Sequence, residues 1–273
     1  MGLIFSLAYS GRIWSKSVTR LWIGLAVFIL ITVGIGYWEN NLQVWLNVFD
    51  SLIAVGIGTL LFVFLFRPNS DMNKAFAFLL VFQVIYSLLR NWLFMSSIYT
   101  LTQQMMQTYQ TYLKKVPNLN LNADMILGLQ QFMLKYQIAI WGSMQVAAAF
   151  LGFLLFNRSS ALKRPIRFIK LPYVVSYLML AALVLCFYRP LRILGINCLI
   201  CMAAVYLIQG TAVLSYYWGD FFAKAKLLGA LLVLAVIFNY PMLLLIAFIG
   251  LLDVWFDFRK FNRKEEKNES NSN

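Results

Sequence analysis

Two charged residues, Asp50 and Arg90, lie inside long apolar stretches of this sequence and are its best candidates for binding a polar ligand. Asp50 belongs to the stretch 42–66 and Arg90 to the stretch 75–98. If these stretches form consecutive antiparallel membrane helices, both charges lie about 12 Å below the same membrane surface, at 1.5 Å per residue. An unpaired charge at that depth costs a few kcal/mol. We therefore expect the two side chains to face protein and to pair.

The pair has two interpretations. In the first, Asp50 and Arg90 form an outward-opening polar site for a ligand or an ion, together with Gln83, Tyr86 and Asn91 of the same stretch as Arg90. In the second, they form a structural ion pair that fixes two helices, or Arg90 extends its guanidinium to the membrane interface. Intramembrane charges are functional more often than chance, which supports the first, but the structural interpretation keeps the greater weight. We expect no catalytic residue, cofactor or metal ion.

Cys198 and Cys201 form a C-x-x-C pattern within an apolar stretch. This spacing places both thiols on one helix face, as a redox pair requires. However, buried cysteine commonly acts as a small hydrophobic side chain, and nothing nearby in the sequence would activate a thiolate. We expect both cysteines to be dispensable.

Acidic and basic residues meet again near the end of the last apolar stretch. Paired carboxylates can bind a cation or transfer protons, but their basic neighbours favour local ion pairs at a helix end. Docking of a cytoplasmic partner is the alternative. The candidate docking residues are Asp253, Asp257, Arg259 and Lys260, with Lys163, Arg164 and Arg167 from a basic segment earlier in the chain.

The composition indicates that these residues are positioned by membrane helices. Of 273 residues, 62% are apolar and only 12% are charged, whereas soluble domains carry about 25% charged residues. The absence of histidine excludes His-ligated metal sites and Ser-His-Asp triads. The net charge of +13 arises from basic residues between apolar stretches, which is typical of loops facing anionic lipid. We expect a lipid bilayer as partner and no nucleic acid.

The apolar stretches predict an all-α, polytopic transmembrane helix bundle with six to eight spans, since runs of about 20 apolar residues cross a membrane. Residues 1–20 predict an interfacial amphipathic helix. Residues 99–135 predict an extracytoplasmic segment with two short amphipathic helices, one on either side of Pro117. The six clear spans are predicted at 18–37, 42–66, 75–98, 136–156, 171–188 and 193–217.

The region 227–256 contains Asn239-Tyr240-Pro241 at its middle, which disfavours one continuous helix. Two short spans or a re-entrant hairpin fit better, and both give an even number of crossings. With both termini in the cytoplasm, 17 of the 23 basic residues lie inside, as the positive-inside rule requires. We predict a bacterial inner-membrane protein with one transmembrane domain, 1–256, and a charged cytoplasmic tail, 257–273.

From residue 158 onward, three segments carry a resemblance to a known family: FIKLPYVVSYLMLAALVL, YRPLRILGINCLICMAAVYLIQGTAVLSYYW and NYPMLLLIAFIGLLDVWFDFRK. Their order, after a basic segment, resembles the YybS-like family of bacterial membrane proteins, whose members end in a similar Gly-Leu-x-Asp…Phe-Arg segment. That family is grouped by fold with the substrate-binding S components of energy-coupling-factor importers. The resemblance implies a transport-related subunit that binds a small-molecule substrate.

Two function classes follow. The first is an S-component-like binding subunit, which would work with separate ATPase and coupling subunits because the chain has no P-loop. The alternative is a non-enzymatic interaction or scaffold subunit of a membrane or envelope complex. In both, other membrane protein subunits are partners. An intramembrane enzyme is the least favoured class.

Overall fold

The apolar stretches form α-helices throughout the described part of the computed structural model. These are α1 (Gly2–Ile13), α2 (Val18–Glu39), α3 (Leu42–Asp50), α4 (Gly58–Leu65), α5 (Met72–Leu93), α6 (Met95–Leu113), α7 (Ala123–Ser159), α8 (Val174–Phe187), α9 (Arg192–Lys224) and α10 (Tyr240–Phe256). The structure describes residues 2–13, 18–39, 41–66, 71–113, 123–160, 165–225 and 238–260, with residues 227, 229, 231 and 235.

Within these residues, four helical segments are long and apolar enough to cross a membrane, and three shorter apolar helices accompany them. The chain is therefore an all-α, multi-pass membrane protein. The number of crossings and their orientation remain predictions. The long segments are Leu42–Leu65, Met72–Leu93, Met125–Ser159 and Arg189–Phe221, and the shorter ones are Ala26–Trp38, Val174–Phe187 and Tyr240–Phe256.

The second predicted span begins and ends close to its predicted bounds, but it is not a uniform α-helix. Asn41 caps α3, because its side chain accepts a hydrogen bond from the backbone N–H of Gln43. Between α3 and α4 the helix widens into a π-helical segment, Ser51–Ile57. Single π-helical turns are rare and occur frequently at functional sites. Asp50 lies at the start of this one.

The predicted extracytoplasmic segment 99–135 differs from its prediction at both ends. The third span stops at Leu93 rather than 98, because Phe94 leaves the helical conformation, and α6 begins at Met95. The predicted second short helix is the first part of α7, which continues to Ser159 with one non-helical residue, Tyr136. That kink lies where the fourth span was predicted to begin.

Helix α1 packs within the bundle instead of lying alone at the interface. Leu3 and Leu7 are fully buried and face α7. The two helices meet at glycines, since a Cβ at Gly11 would lie 2.8 Å from the carbonyl oxygen of Phe156. A Cβ at Gly152 would likewise lie 3.2 Å from the carbonyl oxygen of Leu3. Small residues allow such close approach of helix backbones in lipid.

Helices α9 and α10 form a second close crossing. A Cβ at Gly210 would overlap the carbonyl oxygen of Ile246, and a Cβ at Gly250 would overlap that of Tyr206. The predicted break before α10 is confirmed: Asn239 caps the helix by accepting a hydrogen bond from the N–H of Met242 at 3.3 Å. A single helix over 227–256 is therefore excluded.

Candidate functional site

The two intramembrane charges form an ion pair between α3 and α5. Arg90 donates from Nε to both carboxylate oxygens of Asp50, at 2.7 and 2.9 Å. Their side chains are only 11% and 15% exposed. Tyr86, one turn earlier on α5, donates its hydroxyl to Asp50 Oδ1 at 3.0 Å. These three hydrogen bonds compensate the carboxylate for the loss of water.

Trp141 of α7 completes this cluster. The guanidinium carbon of Arg90 lies 4.8 Å from the centroid of its ring, a cation–π distance. The ring of Tyr86 contacts the same tryptophan edge-to-face, with centroids 5.5 Å apart. Asp50 and Trp141 thus hold the guanidinium from two directions.

Gln83 connects α5 to the π-helical segment. Its Nε2 donates to the carbonyl oxygen of Ala54 at 2.8 Å, which satisfies a carbonyl in the widened turn. Gly58 provides the room, since a Cβ there would lie 2.8 Å from the same Nε2. The amide oxygen of Gln83 is buried and has no hydrogen-bond partner among the described residues. Gln83 stabilises the helix widening that follows Asp50.

A cavity of about 730 Å³ opens beside Arg90, between α6 and the ends of α3, α5 and α7. Its volume falls within the roughly 300–1,000 Å³ of small-molecule sites. Arg90 is the one charged residue among the described lining, and no described residue accepts a hydrogen bond from its terminal nitrogens, Nη1 and Nη2. The other lining residues are Gln43, Leu46, Ile98, Leu101, Thr102, Gln104, Met105, Thr108, Tyr109, Tyr112 and Gln137.

The predicted site residues separate into two groups. Asp50, Tyr86 and Arg90 are brought together, and Gln83 lies on the same helix next to the π-helical segment. Asn91 is partly exposed and makes no described contact with the pair, because it points about 100° away from Arg90 around α5. Of the five predicted residues, three are therefore in direct contact with one another in the structure.

The lining residues of α6 and α7 were not predicted as site residues. On α6 they recur three or four positions apart, from Ile98 to Tyr112. This is the spacing of one helix face, so the amphipathic pattern of the segment contained the signal. Trp141 and Gln137 had no comparable signal, because which face of α7 meets α5 depends on packing.

At the other end of the bundle, Asp253 and Arg259 form a buried ion pair. Arg259 donates to Asp253 Oδ2 from Nη2 at 2.8 Å and from Nε at 3.2 Å, and Gln209 donates to the same oxygen at 2.6 Å. The Nη1 of Arg259 donates to the carbonyl oxygen of Arg167 at 2.7 Å. This network fastens the chain after α10 to α9 and to the segment before α8.

The predicted docking surface is wrong for two of its residues. Asp253 and Arg259 are only 1% and 2% exposed, so neither can contact a partner. The chain reverses after α10 through Asp257 and Lys260, which both have positive φ, and this carries Arg259 inward. Asp257 pairs with Lys170 at 3.6 Å. Arg167 and Lys260 are exposed, whereas Lys163 and Arg164 lie outside the described residues.

The cysteines are unpaired thiols in a packed interface. Cys198 and Cys201 are buried, and the sulfur of Cys201 lies 3.6 Å from the carbonyl oxygen of Ile138 on α7. A Cβ at Gly142 would lie 2.6 Å from the same sulfur. Cys201 fills the space that this glycine leaves between α7 and α9.

Comparison with protein-family models, with curated proteins and with solved structures gives no match to this chain. No family is identified. What the helices show is a membrane protein with four long apolar helices among the described residues. The resemblance of its second half to the YybS-like family remains an expectation carried by the quoted segments alone.

Proposed function

We propose that the protein is the ligand-binding subunit of a transport system in a bacterial inner membrane. The observation that supports this most directly is the cavity of about 730 Å³ lined by Arg90, whose terminal nitrogens donate to no described residue. Orienting a charged group at membrane depth is costly, and a purely structural pair has no need of an adjoining cavity. With both termini in the cytoplasm, the cavity opens to the outside.

The residues around Arg90 have distinct roles in this proposal. Asp50 and Tyr86 hold the guanidinium through its Nε side, and Trp141 holds its plane. The ligand then meets donors that are already in position, which reduces the entropy lost on binding. The π-helical segment follows directly after Asp50 and is joined to α5 by the hydrogen bond from Gln83 to Ala54.

Helix α6 serves as the movable cover of the site. Its first residues are separated from α5 by the break at Phe94. Among its described residues, Ile98 and Met106 are fully buried, and most of the second half is exposed. Elements with few buried apolar contacts open most readily. Movement of α6 would admit the ligand without disturbing the ion pair.

Energy for transport would come from other subunits. The sequence has no P-loop, so ATP hydrolysis requires a separate ATPase, joined through a coupling subunit as the resemblance implies. The exposed basic residues Arg167 and Lys260 lie at the end of the bundle that we assign to the cytoplasm. They are among the described basic residues available for such contacts, with Arg12, Lys74, Arg158 and Lys224.

One observation favours the alternative of a scaffold or interaction subunit. The second half of α6 carries exposed tyrosines, Tyr109 and Tyr112, on a helix with little support from the bundle. Exposed aromatic residues are enriched at protein–protein interfaces. A partner in an envelope complex would then cover α6, and the cavity would be part of that interface.

Affinity purification of the full-length protein in mild detergent, with mass spectrometry of proteins and of released small molecules, distinguishes the two. The binding proposal predicts that ATPase and coupling subunits and a small molecule co-purify. An unrelated multi-pass protein with the same tag is the control. Recovery of envelope or division proteins, with no small molecule and no ATPase, would overturn it in favour of the scaffold.

A further inference from the structure

We infer that the cavity beside Arg90 selects an uncharged small molecule that presents paired hydrogen-bond acceptors to this arginine and an apolar or aromatic face to α6. This inference rests on the proposed binding function and names its substrate class. It follows from the charges, the donors and the apolar lining of the cavity.

The charge of the cavity is already balanced. Arg90 is the one charged residue in the described lining, and Asp50 neutralises it at 2.7 Å. A carboxylate ligand would place two negative charges around one guanidinium. An ammonium ligand would find no anion among the described lining residues, because Asp50 does not line the cavity and its carboxylate is paired with Arg90. Since an uncompensated charge at membrane depth is costly, both charged classes are disfavoured.

The donors of the cavity define one end of the ligand. The Nε of Arg90 is occupied by Asp50, which leaves the Nη1–Nη2 side of a planar fork. Two adjacent acceptors in one plane match this geometry, as in a carboxamide carbonyl next to a ring nitrogen. The contact of the guanidinium with Trp141 keeps the fork directed at one place.

The other described residues of the lining are uncharged and amphipathic. Gln43, Gln104 and Gln137 offer amides that both donate and accept. The hydroxyl of Thr102 donates to the carbonyl oxygen of Ile98 at 2.8 Å, so its oxygen is left to accept from the ligand. Met105 and its apolar neighbours on α6 supply the flat contact for a ring. These groups recognise heteroaromatic or polar aromatic molecules without adding charge.

Binding of matched compounds to the wild-type protein tests the inference. The probes are heteroaromatic carboxamides, each paired with the carboxylate and the amine of the same skeleton, beginning with pyridine-2-carboxamide, pyridine-2-carboxylate and 2-(aminomethyl)pyridine. Titration calorimetry in phosphatidylcholine nanodiscs avoids acidic lipid. Skeletons that bind should do so at least about tenfold more tightly as amides than as acids or amines.

Asp50→Asn should reverse this preference. The variant keeps an oxygen that can accept from Arg90 but removes the neutralising charge, so the amide-to-acid affinity ratio should shift toward the acid by at least about tenfold. Asp220→Asn, an exposed carboxylate on α9, is the matched control and should leave the ratio unchanged. If Asp50→Asn does not fold, the wild-type comparison decides alone.

The possible outcomes test the ligand class and the binding function separately. Tighter binding of acids or amines than of amides by the wild-type protein would overturn the uncharged ligand class and leave the binding function in place. Binding of no amide, acid or amine would overturn both. An unchanged ratio in a folded Asp50→Asn protein would show that Asp50 does not set the selectivity.

Discussion

Neutralising one partner of the Asp50–Arg90 pair should destabilise the protein, and neutralising both should restore much of the loss. Truncating one partner of a fully buried pair costs about 3–5 kcal/mol, because the other charge stays buried. Here the side chains are 15% and 11% exposed and Arg90 borders the cavity, so some solvation remains. We expect about 2–3 kcal/mol for Asp50→Asn or Arg90→Gln.

The double variant Asp50→Asn/Arg90→Gln leaves no unpaired charge. Its cost should fall below the sum of the single costs by about 2 kcal/mol, within the range of coupling energies for contacting residues. Tyr86→Phe should cost about 1 kcal/mol, the net value of one hydrogen bond. The order of costs among these variants follows directly from the hydrogen bonds at Asp50.

Reversible unfolding in mixed micelles, followed by circular dichroism as the denaturing detergent increases, measures these free energies. The matched control is the exposed pair Asp220→Asn and Arg192→Gln on α9, whose costs should be small and additive. Additive costs at Asp50 and Arg90, within about 0.5 kcal/mol, would refute the reasoning that each charge is buried against the other.

Three further predictions concern other parts of the chain. Replacing Cys198 and Cys201 with alanine should cost no more than about 1 kcal/mol per site and leave ligand binding intact, and lost binding by the folded variant would contradict this. Gly210→Val should cost about 3 kcal/mol or more in the same unfolding assay, because its Cβ overlaps a backbone carbonyl, whereas Gly219→Val, which has open space, should cost far less. In a background lacking the native thiols, Ser270→Cys should resist an impermeant thiol reagent in intact cells, and labelling would refute the cytoplasmic tail.

The pairing of Asp50 with Arg90 could be predicted because it depends on depth alone. Each lies about eight residues from the same end of its apolar stretch, and antiparallel helices bring equal depths together. The break at Asn239 was equally accessible, since proline and asparagine act locally. A sequence therefore predicts features that depend on the position of a residue along a helix axis or on local turn chemistry.

What the sequence did not reveal depends on rotation about helix axes and on chain reversal. Trp141 stacks on Arg90 only because of the face that α7 turns toward α5. Arg259 reaches Asp253 because Asp257 takes a left-handed conformation. Glycine or asparagine usually marks such a position in a sequence, and neither occurs at residue 257. The crossing at Gly210 and Gly250 also had no such signal, because neither glycine has a small residue four positions before or after it.

In the proposed function, a small molecule occupies the cavity beneath α6. The most direct test compares Met105→Trp, which places a bulkier side chain at the cavity lining, with Tyr99→Trp, an exposed position on the same helix that does not line it. Ligand co-purifying with each folded protein is quantified by mass spectrometry. The claim predicts wild-type occupancy in Tyr99→Trp and a loss of at least about tenfold in Met105→Trp; equal occupancy in both would contradict it.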